Sequence, residues 1–165
     1  MKNYEIITTS KNIDYIKVTE ELVDDYLKMV NDYENVGKYI SHKIKNYTRE
    51  DELEWVRNNL EKDAILLSMI EKSTGEFIGN IEIMEIVDGI GEIGFSITPS
   101  KQNKHYGREA IETIIDYGFK NFNIKGYELN VYATNERGIK CYESVGFVKA
   151  GSGKTDEDIH MVYQK

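Results

Sequence analysis

The chain has 165 residues, a formal charge of −8 and 40% hydrophobic residues, which describes one domain with one sizeable core. No apolar run approaches the ~20 residues of a membrane helix, the acidic balance argues against nucleic acid as a partner, and the N-terminus lacks the apolar segment of a secretory signal. The single cysteine, Cys141, excludes an internal disulfide and a cysteine-built metal cluster, and fits a reducing cytoplasm.

In chain order, residues 4–8 and 13–18 read as short extended pieces around a polar turn. Thr19 is placed to cap a helix, with Glu20 and Glu21 in its first turn and Leu22, Tyr26, Met29 and Val30 as its apolar stripe. Val36, Tyr39, Ile40 and Ile44 have helical spacing across 35–47, interrupted by Gly37. Thr48 and Asp51 offer a capping-box start to a further helix, with Leu53, Val56 and Leu60 on one face and Trp55 at its edge. Trp55 and tyrosines 26, 33, 39 and 47 read as packing residues, some of them able to line a pocket between these helices and a sheet.

An apolar strand over 64–70, a Ser-Thr-Gly-Glu turn, a returning strand over 77–83 and a turn at 87–91 predict a meander that ends in a strand over 92–98. Pro99 and Ser100 stop it, and Ile111, Ile114, Ile115 and Phe119 then share one face of a helix of about residues 107–121. Residues 127–132 alternate as a strand, Asn135 is placed to cap a helix running to Val145, and Gly146 ends it. Strands follow from Phe147 and Ile159, separated by a flexible tip at 151–153. The order predicts one mixed α/β domain over 1–165, with strands 92–98 and 127–133 parallel and joined by a helical crossover.

A helix N-terminus carries unpaired N–H groups and attracts phosphate, and ligands of such sheets gather at the carboxyl ends of the strands. Lys101, Lys104, His105 and Arg108 surround the turn that leads into the 107–121 helix, in an otherwise acidic chain. That turn is the candidate seat for the pyrophosphate of a nucleotide-like cofactor. Ile93 and Phe95 alternate with Glu92, Gly94 and Ser96, so Glu92 leaves the core side and reads equally as a base or a solvated strand carboxylate. Cys141 points elsewhere than its neighbour Tyr142 and reads as a packed thiol, while His42 and His160 lack metal-ligand spacing.

Residues 91–149 resemble the core of the GNAT (N-acetyltransferase) superfamily. Gln102-Asn103-Lys104-His105-Tyr106-Gly107 is similar to its acyl-CoA loop, Gln/Arg-x-x-Gly-x-Gly/Ala, and Asn135 through Tyr142 to Gly146-Phe147 to its Asn-x6-Tyr-x3-Gly-Phe segment. The part before residue 60 resembles, more loosely, the branch of ribosomal-protein N-terminal and spermidine acetyltransferases. The resemblance implies a mostly antiparallel central sheet with one splayed parallel pair and helices on both faces. It implies acetyl transfer from acetyl-CoA to a primary amine by direct attack in a ternary complex, without a metal. The acceptor would be a protein N-terminus, a polyamine or another small amine, and a homodimer is allowed. Cofactor-binding residues would be Phe95, Ser96 and Ile97 on the splayed strand, Gln102, Asn103, Lys104, His105, Tyr106, Gly107 and Arg108 in the loop, and Asn135. Tyr142 would be the general acid, and Glu92, ahead of Glu82 and Glu85, the base. His105 stands where the family usually has glycine, at a position that can require positive φ. That departure motivates the alternative of an acetyl-CoA- or CoA-binding regulatory domain with little catalysis.

Overall fold

Period-two patterning builds a single sheet. The computed structural model describes residues 4–40 and 45–164, and among them eight strands lie side by side: β1 (Ile6–Thr9), β2 (Ile13–Lys17), β3 (Ile65–Glu71), β4 (Phe77–Val87), β5 (Ile90–Ile97), β6 (Gly126–Tyr132), β7 (Phe147–Ser152) and β8 (Asp158–Tyr163). Their order is β1-β2-β3-β4-β5-β6-β8-β7, antiparallel throughout except for the parallel pair β5 and β6. That pair is bonded only from Ile90–Gly126 to Glu92–Glu128. Beyond it β5 stays with β4 as far as Ile97 and β6 stays with β8 as far as Tyr132, so a wedge opens between them. This is the mixed sheet with a splayed parallel pair that the resemblance implies.

Helices α1 (Val23–Asn31), α2 (Arg49–Glu61), α3 (Tyr106–Asn121) and α4 (Glu136–Val145) cover both faces. Ala110, Ile111 and Ile114 of α3 and Ile139, Tyr142 and Val145 of α4 share a core with Ile81, Ile93, Leu129 and Met161. Tyr26 and Met29 of α1 and Val56 of α2 pack on the opposite face against Ile16, Leu66 and Phe77. Among the described residues no helix is long and apolar enough to cross a membrane.

The predicted caps form. Thr48 and Asp51 exchange both bonds of a capping box, and Asn135 Oδ1 accepts from the Gly138 N–H at 3.0 Å. Thr19 accepts from the Glu21 N–H at 3.2 Å, but opens a 3₁₀ turn (Glu20–Leu22) that precedes α1. Other expectations are corrected. The described part of 35–47 holds a single 3₁₀ turn, Gly37–Tyr39, in place of a helix, and Ile44 and His42 lie outside the described residues. In α2 the buried stripe is Glu52 and Val56, four residues apart, while Leu60 is exposed. The buried face is therefore turned by roughly 50°, half of one residue step, from the Leu53–Val56–Leu60 face, and Val56 is common to both. β4 runs on past 83 through a bulge between Ile83 and Glu85. The 151–153 tip is partly strand, since β7 extends to Ser152.

Candidate active site

The loop between β5 and α3 is shaped by two left-handed residues. Asn103 and His105 have φ of 61° and 66°, and His105 occupies the cap position of α3 without a side-chain capping bond. Left-handed residues in a turn gather N–H groups into a concavity that suits anions. The first intrahelical bond of α3 runs from the Glu109 N–H to the His105 carbonyl, so the N–H groups of Tyr106, Gly107 and Arg108 have no acceptor within the helix. Gln102 Nε2 donates to the Ile97 carbonyl at 2.9 Å and draws the loop back over the end of β5.

A cavity of about 530 Å³ opens beside this loop. Its wall takes Phe95, Ser96 and Ile97 from β5, Gln102, Asn103, His105, Tyr106, Gly107 and Arg108 from the loop and α3, and Asn135 and Tyr142 from the α4 segment. Gly107 keeps α3 close to its neighbours: a Cβ there would lie 3.0 Å from Cys141 Sγ and 3.2 Å from the Phe95 ring. Lys104 and Glu92 are not part of the wall. Asn35, Val36 and Tyr39 are, brought across by the segment that follows α1. Tyr39 is among the tyrosines that read in sequence as able to line a pocket, whereas nothing local marks Asn35 or Val36 for it. Arg137, Lys140, Cys141 and Ser144 also line the cavity, and their spacing of three to four along α4 was a readable sign of one shared stripe.

Two residues of the cavity wall, Lys101 and Tyr106, have their polar atoms engaged by the neighbouring β3–β4 hairpin. Lys101 is buried and donates to Glu71 at 3.0 Å and to Glu76 at 2.9 Å, so it is not a free cation at the turn. The Tyr106 hydroxyl donates to the other oxygen of Glu71. Hydrogen bonds from Thr74, Tyr106 and Lys101 hold the Glu71 carboxyl low, at about 2.

Tyr142 stands edge-on to Phe95, with ring centroids 5.4 Å apart. Burial raises its pKa well above the ordinary phenol value, and no hydrogen bond to a described residue opposes that rise. The result is a protonated hydroxyl at the cavity wall. Cys141 shares the wall instead of turning away from it, but burial pushes its thiol up to about 11, which disfavours the thiolate.

On the other side of the sheet Glu82 lies opposite Gly94, and Glu92 opposite Glu128. Glu92 is buried, contrary to a solvated reading, and lies 3.5 Å from Lys154 Nζ. Burial first, then the charge of Glu92, raise the Glu82 carboxyl to about 7. Glu85 is exposed. Glu128 is 3.2 Å from His160 Nε2. Among the described residues no group of three or more His, Cys, Asp or Glu side chains is arranged to hold a metal ion.

The family described as the Acetyltransferase (GNAT) domain matches residues 15–148. The chain belongs to this family. It is 34% identical over 95 residues to the uncharacterized N-acetyltransferase p20 of Bacillus licheniformis, a match covering 56% of this chain and 53% of that protein. It thus spans about half the length of that relative. Spermidine N(1)-acetyltransferase of Vibrio cholerae is 28% identical over 129 residues, covering 76% of this chain and 75% of the relative. The crystal structure of a Vibrio cholerae spermidine N-acetyltransferase in complex with CoA and spermine superposes with a TM-score of 0.80 at 19% identity, over 93% of this chain and 95% of the other. At that identity the likeness speaks to the GNAT fold.

Proposed function

We propose that this GNAT domain transfers the acetyl group of acetyl-CoA to a primary amine by direct attack in a ternary complex. The observation that carries the reading is a single cavity lined by both the left-handed loop at the α3 N-terminus and a buried, protonated Tyr142. The residues present fit acetyl-CoA. N–H groups of the loop and of Tyr106 to Arg108 would hold the pyrophosphate, and the unpaired edge of β5 at Phe95 to Ile97 would face the pantetheine arm. Asn135 would stand beside that arm, with Lys104 at the margin of the site. Acetyl-CoA supplies the activated acyl group. Tyr142 would protonate the departing thiolate, and Glu92, with Glu82 beside it, would take the proton of the arriving ammonium. The free edge of β5 would polarise the carbonyl as an oxyanion hole does.

His105 raised the alternative of a domain that binds CoA without catalysis. It adopts the left-handed backbone its position requires, so the departure from glycine is accommodated. The acceptor is a primary amine whose kind stays open. The spermidine-acetylating relative makes polyamines the first to screen, followed by peptide N-termini and other small amines. Calorimetry with acetyl-CoA and thiol release across that panel test the reading. The variant Tyr142→Phe is expected to lose about 10²-fold in kcat with acetyl-CoA affinity kept. Unchanged turnover would remove Tyr142 from the acid role, and binding without turnover on any amine would favour the non-catalytic domain.

A further inference from the structure

The face of the sheet away from α3 and α4 carries Glu82, Glu92, Glu128 and Asn130, each alternating with a core residue. Among the described residues, Lys154 is the cation paired with Glu92, and it comes from the five residues between β7 and β8. Its own side chain is 71% exposed, whereas that of Glu92 is only 12% exposed. The ammonium therefore reaches in from solvent to a covered carboxylate. The segment that holds it is fastened: the Gly153 N–H donates to the Asp158 carbonyl at 2.9 Å, and the Asp158 N–H donates to the Thr155 carbonyl at 3.2 Å. It also leans on this face. A Cβ on Gly153 would come within 2.7 Å of Asn130 Oδ1, so only glycine lets the chain settle there. Glu92 itself is the last residue of β5 paired with β6 before the two strands part. A primary amine of the chain thus stands beside the last bonded pair of β5 and β6, against the carboxylate proposed above as the base.

We propose that Lys154 is a site of self-acetylation in cis, with its Nζ taking the acceptor's place when no free amine is present. The inference rests on the acetyltransferase reading of the site and adds an acceptor to it. The Lys154 ammonium gives one proton to Glu92, and the freed Nζ forms a bond to the acetyl carbon as the carbon–sulfur bond breaks. The nitrogen's second proton balances the one that Tyr142 gives to the CoA thiolate, and nothing is oxidised or reduced. The products are CoA and an uncharged Nε-acetyl-lysine that can no longer pair with Glu92. Tethering favours this route, because a held amine needs no encounter with a partner molecule.

The test incubates the full chain with acetyl-CoA alone and follows intact mass and peptide maps. The expected result is a single acetyl group on Lys154, added at a rate independent of protein concentration. It is absent at that position in Lys154→Arg and slowed at least about tenfold in Glu92→Gln. Three results would overturn the proposal while leaving amine acetylation standing: an unmodified Lys154 in an enzyme that acetylates free amines, a rate that scales with protein concentration, or acetyl groups spread over surface lysines equally in wild type and Glu92→Gln. No thiol release with any free amine and no label on Lys154 would overturn this proposal and the acetyltransferase reading together.

Discussion

A strand carboxylate that keeps its proton to about pH 7 needs an explanation, and Glu82 supplies two. Burial disfavours its charge, and Glu92 repels it from the neighbouring strand. The folded state therefore holds this proton more tightly than the unfolded chain does. Stability from that difference is fully present below the unfolded value near 4.5 and is lost as pH rises through about 7. Replacing Glu82 with Gln removes the loss. The melting temperature of Glu82→Gln should gain on wild type by several degrees between pH 5 and pH 8, and a constant gap across that range would deny Glu82 its raised pKa. In sequence, Glu82, on the neighbouring strand, ranks behind Glu92 as a candidate base. Desolvation comes from a face assembled by residues far apart in the chain, which no local pattern carries. Tyr142 was legible for the opposite reason: its distances to Asn135 and to Gly146-Phe147 lie within one helix and its caps.

The loop–α3 element was the most readable part of the chain, and its weakest residue by inspection was His105. A non-glycine residue with a φ of 66° carries a conformational cost on the order of 1 kcal/mol. His105→Gly relieves it, although the unfolded chain gains entropy and offsets part of the gain. Differential scanning should show an equal or modestly higher melting temperature, and calorimetry should show acetyl-CoA binding kept or tightened. A tenfold fall in affinity would identify the imidazole as a phosphate ligand. Elements with local signals were foreseen to within a few residues: the capped starts of α2 and α4, the meander of β3 to β5 and the Ile111, Ile114 and Ile115 stripe of α3, although Phe119, read on the same face, is exposed. Elements that depend on packing were not. Gly37 and the crossing of 32–40 over the cavity replace a helix, and α2 buries Glu52 while exposing Leu60. In both places, contacts with distant strands outweigh local spacing.

At the scale of the whole molecule, the loop between β5 and α3 is held by two hairpin turns from the first half of the chain. Glu109 of α3 accepts from the Asn12 N–H and from Asn12 Nδ2, each at 2.8 Å, in the turn between β1 and β2. Lys72 Nζ donates to the Ser10 carbonyl at 2.6 Å, joining that turn to the one between β3 and β4. Lys101 then ties the loop to Glu71 and Glu76 at the same end of the sheet, and Tyr106 adds its hydroxyl to Glu71. The cation that reads in sequence as a phosphate ligand thus works as an anchor. Without Lys101, the covered Glu71 carboxylate keeps only the hydroxyls of Thr74 and Tyr106 among these partners. Lys101→Met should therefore lower stability by on the order of 2 kcal/mol, and Lys101→Met with Glu71→Leu should recover part of that loss, because both charges leave together. The kinetic consequence separates anchor from ligand. An anchor fixes the loop proposed to receive acetyl-CoA, so both the single and the double variant should raise KM for acetyl-CoA with kcat nearly kept. The variant Glu71→Gln leaves the Lys101 ammonium in place but weakens the anchor, so it should raise KM for acetyl-CoA in the same direction. An unchanged KM in Glu71→Gln beside a raised KM in Lys101→Met would return Lys101 to the phosphate site.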